Sequence, residues 1–372
     1  MNTVRFFLSN RLVLARAARE KGFEVHVAAP ESGDASQIVA EGFDFHPLPV
    51  SRSGVRPWEE ARSVWAFYKL LRRLRPDLLH LWTIKFVTYG GLAARMAHTP
   101  ALIATIPGLG YIFRATGTKA ASVRMLVRRL YKIGLKHPNS RVVFLNHDDL
   151  NEFLQMGLVA AESAVVIKGS GVNTDRFIPV PEPDGVPVVL LACRMLADKG
   201  VSEYVEAAGL IRDAGITARF LLVGEPDTGN PSSISRDRLE SWNQSGVVEY
   251  QGWQSDMPSL LRKSHIVCLP SYYREGIPRI LIEAAACGRP IITTDEPGCR
   301  EVVRHNENGI LIPARSSSAL AAAIRTLLED QELRRRLGQR GREIAVEEFS
   351  EQRVIADTLA LYDEICQPPA AL

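Results

Sequence analysis

The feature that most constrains the fold is an alternation of two kinds of segment along nearly all 372 residues. Short apolar runs rich in β-branched residues are separated by longer segments with the composition and periodicity of helices. Such alternation is typical of parallel sheets covered by helices. Residues 177–187 interrupt it with four prolines in eleven positions, which predicts a linker between two domains. We therefore expect an α/β chain of two doubly wound domains, each binding ligands beyond the carboxyl ends of its strands.

The apolar runs predict strands on both sides of this linker. Those before it lie near residues 4–8, 24–28, 43–48, 78–82, 101–106, 141–145 and 164–168. Those after it lie near residues 188–193, 218–223, 247–251, 265–269, 290–294 and 309–312, and helices follow at 317–329, 331–347 and 350–366. The expected domains are 1–178 and 188–349, and the last helix, in residues 350–372, is expected to cross back to the first domain.

Composition limits the class of protein. Hydrophobic residues make up 46% of the chain, and no apolar run approaches the roughly 20 residues of a membrane span. The first residues lack the architecture of a signal peptide, so a cytosolic protein is expected. The five cysteines form no C-x-x-C motif and no metal-ligand cluster, and we expect them to be mainly buried free thiols.

Charge divides the chain into two halves. Residues 1–180 contain 24 Lys and Arg against 14 Asp and Glu, a net charge of +10, whereas residues 181–372 contain 21 against 28, a net charge of −7. Between Leu78 and His147 there are ten Lys or Arg and no Asp or Glu. Such a stretch favours an anionic partner, namely a membrane surface, a lipid diphosphate or a nucleic acid. No nucleic-acid recognition motif accompanies it.

The helix predicted at 120–137 lies within this basic stretch. Arg or Lys recurs at every fourth position from 124 to 136, and the opposite face is predicted to bury Val123, Leu126, Val127, Leu130 and Ile133. Two interpretations stay open. The helix has either a solvated basic face over a buried apolar stripe, or a surface that docks on anionic lipid.

The most informative stretch is 270–294, which predicts a strand end, a loop, a helix and a new strand. Pro278 suits the first position of the helix. A helix that starts directly after a parallel strand can hold a phosphate or diphosphate on its free N–H groups. Glu275 and Glu283 flank that position, and because carboxylates repel phosphate, we expect them to bind hydroxyl groups, in which sugars are rich. The alternative is a capping Glu275 with a solvated Glu283.

Two cations are expected opposite this helix. Arg194 and Lys199 lie on the loop that leaves the first strand of the second domain, where a doubly wound fold opens its ligand crevice. Facing a helix N-terminus they would form a diphosphate clamp, whereas in isolation such a pair would be surface charge. Gly252 and Met257 occupy a place suited to a nucleotide base.

Two glycine-bearing loops complete the candidate site. The loop 107–114, which contains Gly108, Tyr111 and Arg114, exposes aromatic and apolar groups beside the acid-free stretch, as an acceptor-binding loop would. The loop 168–173 contains Gly171, a residue suited to a hinge or to close approach of the backbone to a ligand.

Together, the Arg194–Lys199 pair and the Glu275–Glu283 pair resemble the motifs of the retaining glycosyltransferases of family 4. That family has the GT-B fold, in which two Rossmann-like domains face a cleft, and the resemblance covers nearly the whole chain. A finer resemblance, to bacterial members that build O-antigen, capsule or glycoprotein glycans, lies in shorter segments, namely 6–11, 83–85 with 89–95, 108–111 and 297–301. Those members typically transfer an N-acetylated hexosamine, often N-acetylgalactosamine, to a sugar on undecaprenyl diphosphate.

The resemblance implies a role for each matching residue. Arg194 and Lys199 would hold the diphosphate of a UDP-sugar, and with Glu275, which would contact the donor sugar, they are the expected catalytic residues. Glu283 would bind the ribose hydroxyls. Further donor-binding residues would be Gly276, Ile277, Pro278, Gly171, Gly252 and Met257. The acceptor-binding residues would be Asn10, His80, Lys85, Gly108, Tyr111 and Arg114.

The resemblance also implies the partners. These are a nucleotide-sugar bound by residues 188–349, a lipid-linked saccharide acceptor bound by residues 1–178, and the anionic cytoplasmic face of the inner membrane, with no nucleic acid. The chain contains no D-x-D sequence, so neither a metal ion nor another cofactor is expected. Negative charge grows on the departing diphosphate, where fixed cations and helix N–H groups would stabilise it. Retention would proceed by attack on the same face, as is thought for the family.

Two features depart from the family pattern. Only residues 1–5 precede the segment Phe6-Phe7-Leu8-Ser9, where the family has a full first strand, and we expect either a misassigned start or a truncated strand. Asn10 stands where close relatives usually carry His. Two other functions stay open, a UDP-sugar 2-epimerase that needs no acceptor and a non-catalytic protein that binds a sugar or a lipid diphosphate.

Overall fold

The structure, a computed structural model, describes residues 3–50, 56–108 and 118–367. The chain divides into two compact units, residues 1–170 with 354–372, and residues 171–353. The final helix, Glu351–Cys366, therefore begins in the second unit and continues in the first.

The proline-rich segment 177–187 belongs to the second unit, so the prediction of a linker there is wrong. Its Glu182 carboxylate accepts hydrogen bonds from the Arg334 guanidinium, with 2.9 Å between Oε1 and Nε, and the pair is almost buried. The Pro183 carbonyl accepts a hydrogen bond from His265 Nε2 at 2.9 Å. Prolines stiffen an extended segment whether it joins two domains or lies along one of them, and here it lies along one.

The first unit consists of helices and parallel strands. Its helices are α1 (Val4–Asn10), α2 (Leu12–Glu20), α3 (Ala35–Ala40), α4 (Pro57–Leu74), α5 (Ile84–Ala97), α6 (Thr118–Gly134) and α7 (His147–Gln155), with most of the final helix. Its strands are β1 (His26–Ala29), β2 (Asp44–Pro47), β3 (Leu78–Trp82), β4 (Ala101–Ile106), β5 (Ser140–Phe144) and β6 (Ala164–Val166). The strands form two sheets in the described residues, β1-β2 and β3-β4-β5-β6.

The strand predicted at residues 4–8 is wrong, because these residues form α1. Thr3 caps this helix, since its Oγ1 accepts a hydrogen bond from the Phe6 amide at 3.1 Å. Val4 and Phe7, about one helical turn apart, are both buried, and the Phe7 ring meets the edge of the Phe43 ring at 6.3 Å. The spacing of these buried residues decides the structure against their β-branched and aromatic composition.

Helices α4, α5 and α6 share one apolar core with β3 and β4. Helix α5 packs against both α4 and α6. β4 is buried at every residue, as expected for a parallel strand with both faces covered. The three helices thus form one layer beside the sheet.

The second unit contains one parallel sheet of six strands. Its strands are β7 (Val188–Ala192), β8 (Arg219–Val223), β9 (Glu249–Gly252), β10 (Ile266–Leu269), β11 (Ile291–Thr294) and β12 (Gly309–Ile312). Its helices are α8 (Val201–Asp213), α9 (Arg236–Gln244), α10 (Met257–Arg262), α11 (Arg279–Ala286), α12 (Cys299–Val302), α13 (Ser317–Glu329) and α14 (Gln331–Phe349), and α15 (Glu351–Cys366) begins there.

The strand order in this sheet is β12-β11-β10-β7-β8-β9. The chain moves outward from β7 to β9, then returns to the other side of β7 and moves outward to β12. Both β7 and β10 are completely buried. Because the loops that follow β7 and β10 leave in opposite directions, a ligand crevice opens between them at this switch point.

No helix in the described parts of the chain is long and apolar enough to cross a membrane. All five cysteines are free thiols, and three of them, Cys268, Cys287 and Cys299, are buried. Burial raises the pKa of the Cys287 thiol to about 11 and that of Cys299 to about 12. Both thiols therefore stay protonated at neutral pH and behave as small apolar groups.

Candidate active site

The loops that follow β7 and β10 bring Lys199 and Glu275 into contact at the switch point. Lys199 Nζ lies 2.5 Å from Glu275 Oε1, and both side chains are almost buried. Ser271 Oγ donates a hydrogen bond to the same oxygen at 2.8 Å. The ion pair is shielded from water, and the second donor fixes the orientation of the carboxylate. The structure thus joins one member of each of the two motif pairs.

The Asp198 carbonyl holds the loop that follows β10. It accepts hydrogen bonds from the Tyr272 and Tyr273 amides, at 3.0 and 3.2 Å. Ser271 Oγ lies 3.3 Å from the same oxygen. Lys199 Nζ lies 5.8 Å from the centre of the Tyr273 ring, within reach of a cation–π interaction. Sequence analysis missed Ser271 and Asp198, and the one available signal was a small hydroxyl residue just beyond a buried strand.

Two glycines let three loops approach one another. Gly200 has a φ of +75°, and a Cβ there would lie 2.2 Å from the Pro270 carbonyl oxygen. Gly298, just before α12, has a φ of +81°, and a Cβ there would lie 2.2 Å from the Gly276 carbonyl oxygen and 2.5 Å from that of Glu275. No Cβ tolerates such distances, so both positions require glycine. Sequence analysis noted Gly298 only as part of a family segment and did not predict this contact.

Arg194 is half exposed and contacts Asp227, a residue that sequence analysis did not identify. Its Nη1 lies 2.7 Å from Asp227 Oδ2. Burial raises the pKa of the Tyr273 hydroxyl, and the positive charges of Lys199 and Arg194 oppose this shift. Both cations therefore lie close enough to Tyr273 to influence the pKa of its hydroxyl.

Helix α11 starts at Arg279. Pro278 was predicted to be its first helical residue, but it is the N-cap residue. Glu283 lies in the second turn and is almost buried, with its Oε1 3.2 Å from Arg279 Nη2. Burial raises the pKa of Glu283, and the charge of Arg279 opposes this shift. The alternative of a solvated Glu283 is therefore wrong.

The other predicted donor residues also belong to the second unit. Ile277 and Met257 are partly buried against one apolar core, and Met257 is the first residue of α10. Gly252 is the last residue of β9. A Cβ at Gly171 would lie 2.6 Å from Glu351 Cα, so its contact with the start of α15 accounts for the glycine at that position.

His80, predicted to bind the acceptor, lies in β3 of the first unit. Its Nδ1 is 2.7 Å from the Tyr362 hydroxyl, and its Nε2 is 2.8 Å from Thr105 Oγ1. Burial lowers the pKa of the imidazole well below its usual value, and the charge of Arg11 adds to this effect. The ring is therefore neutral, and both nitrogens are engaged inside the unit.

The remaining predicted acceptor residues also fall in the first unit. Lys85 Nζ lies 2.8 Å from Glu60 Oε1. Asn10 Nδ2 donates a hydrogen bond to the Phe6 carbonyl at 3.1 Å. Gly108 lies two residues beyond β4. Two further predicted residues, Tyr111 and Arg114, lie outside the described residues.

Within the described residues, one group of side chains is close enough to hold a metal ion, Glu24 with His26 and Asp44. It lies at the start of β1 and β2, where His26 and Asp44 are opposite each other in register. None of the candidate catalytic residues belongs to this group. Metal independence of the reaction stays a prediction.

Two family descriptions match the chain. Residues 2–145 match "Glycosyl transferase 4-like", and residues 173–344 match "Glycosyl transferases group 1". The second match contains all four residues of the two motif pairs.

Two relatives match most of the chain. The N,N'-diacetylbacillosaminyl-diphospho-undecaprenol alpha-1,3-N-acetylgalactosaminyltransferase of Campylobacter jejuni is 31% identical, over 95% of this chain and 95% of the relative. The UDP-Gal:alpha-D-GlcNAc-diphosphoundecaprenol alpha-1,3-galactosyltransferase of Escherichia coli is 22% identical, over 84% of this chain and 81% of the relative.

Solved structures show the fold. A glycosyltransferase from Rickettsia africae matches with a TM-score of 0.77 at 19% identity, covering 95% of this chain and 93% of that chain. Anabaena HepE in complex with UDP matches with a TM-score of 0.75 at 18% identity, covering 95% of this chain and 96% of that chain. Since family matches extend over both units and a relative is 31% identical along nearly the whole chain, this protein belongs to the family 4-like glycosyltransferases with the GT-B fold.

Proposed function

We propose that this glycosyltransferase moves a sugar from a UDP-sugar to a saccharide on a lipid diphosphate, with retention of configuration and without a metal ion. The contact between Lys199 and Glu275 carries the proposal, because it combines a cation for a diphosphate with a carboxylate for sugar hydroxyls in one shielded place. The names of the two relatives support the substrate classes. Both contain a sugar linked to undecaprenol diphosphate, and one contains a UDP-sugar.

The diphosphate gathers negative charge as its bond to the anomeric carbon breaks. In the proposal, Lys199, Arg194 and the N–H groups at the start of α11 stabilise this charge. Arg194 must exchange a partner to do so, because Asp227 holds its guanidinium in the free enzyme. Binding of the donor therefore replaces a carboxylate by a phosphate, which accepts the N–H donor that Asp227 held.

The two glutamates bind different parts of the donor. Glu275 accepts hydrogen bonds from the hydroxyls of the transferred sugar, while Lys199 and Ser271 hold its orientation. Glu283 accepts hydrogen bonds from the ribose, with Arg279 beside it as counter-charge. The transferred sugar is proposed to be an N-acetylated hexosamine, a proposal supported by the name of the Campylobacter jejuni relative.

Helix α6 bears on where the reaction takes place. Its buried side includes Val127 and Tyr131, four residues apart, and the buried Leu135 follows directly after the helix. Leu126 is 57% exposed and Ile133 is 44% exposed, so the prediction that both are buried is wrong. The large Tyr131 ring packs against Phe153 at 5.2 Å and sets the rotation of the helix. Exposed apolar side chains therefore stand among the exposed basic residues of α6.

Helix α4, on the other side of α5, also exposes apolar side chains beside basic residues. Trp58 is 87% exposed and Trp65 is 51% exposed, and Lys69 Nζ lies 5.6 Å from the centre of the Trp65 ring. Tryptophan next to lysine or arginine suits the headgroup region of a bilayer, where apolar rings enter and cations stay at the phosphates. We therefore favour docking on the anionic cytoplasmic face of the inner membrane over a merely solvated basic face.

The test measures UDP release with a panel of UDP-sugars and polyprenyl-diphosphate-linked saccharide acceptors. Lys199→Ala is expected to lower kcat about 10²–10³-fold, because it removes a cation aimed at developing charge. The matched control is Lys263→Ala, which removes an exposed lysine of the same unit and should leave kcat unchanged. Wild-type activity in both Lys199→Ala and Glu283→Ala would contradict the site assignment.

Omitting the acceptor separates the transferase from the other two functions. The proposal requires that UDP release depend on the acceptor. Interconversion of a UDP-N-acetylhexosamine without acceptor would identify an epimerase, and tight UDP binding without turnover across the panel would identify a binding protein.

A further inference from the structure

Four side chains that can ligate a metal ion lie together on one face of the sheet β1-β2. The two strands are parallel, with His26 opposite Asp44 and Ala28 opposite His46. Because side chains alternate between the two faces of a sheet, His26, Asp44 and His46 share one face, and Glu24 precedes His26 by two residues. The ligand atoms of Glu24, His26 and Asp44 all lie within 4.8 Å of one another. The cluster thus combines two imidazoles with two carboxylates.

His26 is the centre of this cluster. Its Nδ1 lies 3.4 Å from Asp44 Oδ2 and 3.2 Å from His46 Nε2. Its Nε2 lies 3.1 Å from Glu24 Oε1. The His26 side chain is 23% exposed, whereas those of Glu24 and Asp44 are 83% and 70% exposed. The imidazole is therefore held in place, and both carboxylates reach solvent and can turn toward an ion.

The distances around His26 Nδ1 suit a zinc ion. Zinc lies about 2.0–2.1 Å from a histidine nitrogen, so two neighbouring ligand atoms of a tetrahedral site lie about 3.3–3.4 Å apart. Asp44 Oδ2 and His46 Nε2 lie close to this distance from Nδ1. An ion on Nδ1 would take these two atoms as further ligands, and water would complete the tetrahedron. Imidazole ligands favour zinc over Mg²⁺ and Ca²⁺, which prefer oxygen.

Glu24 has the position of a residue that orients a metal ligand. A histidine that binds a metal through one nitrogen donates the N–H of the other, commonly to a carboxylate. With Nδ1 of His26 on the ion, its proton lies on Nε2, which faces Glu24 Oε1 at 3.1 Å. The hydrogen bond to Glu24 therefore selects the tautomer of His26 that zinc requires.

Arg73 opposes the binding of zinc. Its Nη2 lies 3.2 Å from His46 Nδ1. Arginine only donates, so this contact places the proton of a neutral His46 on Nε2. Zinc on Nε2 moves that proton to Nδ1 and displaces the guanidinium. Arg73 is exposed, so its side chain can turn into solvent.

We propose that His26, Asp44 and His46 bind a zinc ion, and that Glu24 positions His26 for it. The ion links β1 to β2, which form a sheet of only two strands within the described residues. Two strands alone are marginally stable, so a metal ion that joins their side chains stabilises the pair. His26 and Asp44 are the first residues of their strands, whereas the ligands of the reaction bind beyond the carboxyl ends of strands. The inference is independent of the proposed reaction.

The first measurement is calorimetric titration of the full chain with ZnCl₂ after dialysis against a chelator. One zinc ion should bind per chain, and saturating zinc should raise Tm by several degrees. MgCl₂ at the same concentration should do neither. Absence of zinc binding, or an equal response to Mg²⁺, would overturn the proposal.

Substitution of the ligands separates this site from adventitious binding. His26→Ala should lower the affinity for zinc at least about 100-fold and abolish the rise in Tm. Asp44→Asn, which keeps the size of the side chain, should weaken binding in the same direction and serves as a second test if His26→Ala does not fold. The matched control is His305→Ala, which removes an exposed histidine of the second unit and should leave zinc binding unchanged. Wild-type affinity in both ligand variants would identify adventitious zinc only and overturn the proposal.

Two further variants test the positioning of the ligands. Glu24→Gln should lower the affinity for zinc about 10–100-fold, because it weakens the hydrogen bond that orients His26. Arg73→Ala should raise the affinity severalfold, because zinc then displaces no guanidinium from His46. Wild-type affinity in Glu24→Gln would contradict its positioning role, and unchanged or weaker binding in Arg73→Ala would contradict His46 as a ligand.

Discussion

Replacing Gly298 with alanine tests whether the approach of three loops builds the donor site. The added Cβ would lie 2.2 Å from the Gly276 carbonyl oxygen and 2.5 Å from that of Glu275. Relief of this overlap moves the loop that carries Glu275 by about 1 Å, and a displacement of that size can cost about 10²-fold in rate. We therefore expect kcat to fall about 10²-fold.

The strain of the backbone is a separate cost. Gly298 has a φ of +81°, where an alanine loses about 1–2 kcal/mol of stability. Gly246 offers a matched control, because its φ is +70° and a Cβ there would meet nothing within 4 Å. Gly246→Ala should therefore show the loss of stability without the loss of activity.

The assay combines steady-state UDP release with chemical unfolding for both variants. Both should lose stability, Gly298→Ala more than Gly246→Ala because it adds the overlap to the backbone strain, and Gly298→Ala alone should lose kcat. A folded Gly298→Ala enzyme with wild-type kcat would refute the reasoning, because the site would then tolerate displacement of its loop.

Three further predictions concern other parts of the molecule. Ser271→Ala removes one hydrogen bond to Glu275, which is worth about 1 kcal/mol, so kcat should fall about fivefold with KM for the UDP-sugar unchanged. An unchanged kcat in steady-state kinetics would contradict a positioning role for Ser271. Burial raises the pKa of Glu283, so the folded state binds this proton more tightly than the unfolded state does, and wild type should lose stability relative to Glu283→Gln as pH rises above the ordinary value of 4.5. Urea unfolding across that pH range measures the difference in the free energy of unfolding, and a difference that does not widen with pH would contradict the assignment. Trp65→Ala should weaken sedimentation of the protein with anionic vesicles. The control Trp253→Ala removes a ring of similar exposure from the second unit and should leave sedimentation unchanged, and equal effects of the two substitutions would exclude α4 as the docking surface.

The parts of the fold that could be predicted from the sequence are those with a strong local pattern. Strand β7 is buried on both faces, so it reads as a continuous apolar run from Val188 to Ala192. The sequence also predicted that Lys199 lies in the same crevice as Glu275, because both loops follow parallel strands and such loops end at the same edge of a sheet. The direct contact between the two side chains is seen only in the structure.

The features that sequence analysis missed leave no local pattern strong enough to outweigh composition. The contact of Gly298 with Gly276 joins distant loops, and nothing in the local sequence records it. The rotation of α6 depends on Tyr131, since Leu126 and Val127 are neighbours of similar hydrophobicity and only the packing of the tyrosine decides which one is buried. The structure of residues 4–8 depends on a cap and on helical spacing, which oppose their β propensity.

The path of α15 has a consequence for biosynthesis. Residues 354–366 are translated after the whole of the second unit, yet they complete the first. Tyr362 contacts His80 at 2.7 Å, Glu364 contacts Arg141 at 3.0 Å, and the Ile365 carbonyl accepts a hydrogen bond from Asn139. On the ribosome the second unit, a continuous segment, is therefore able to finish folding while the earlier-made first unit still waits for its last helix. Completion of the first unit therefore runs against the order of its synthesis, because it cannot precede the emergence of α15.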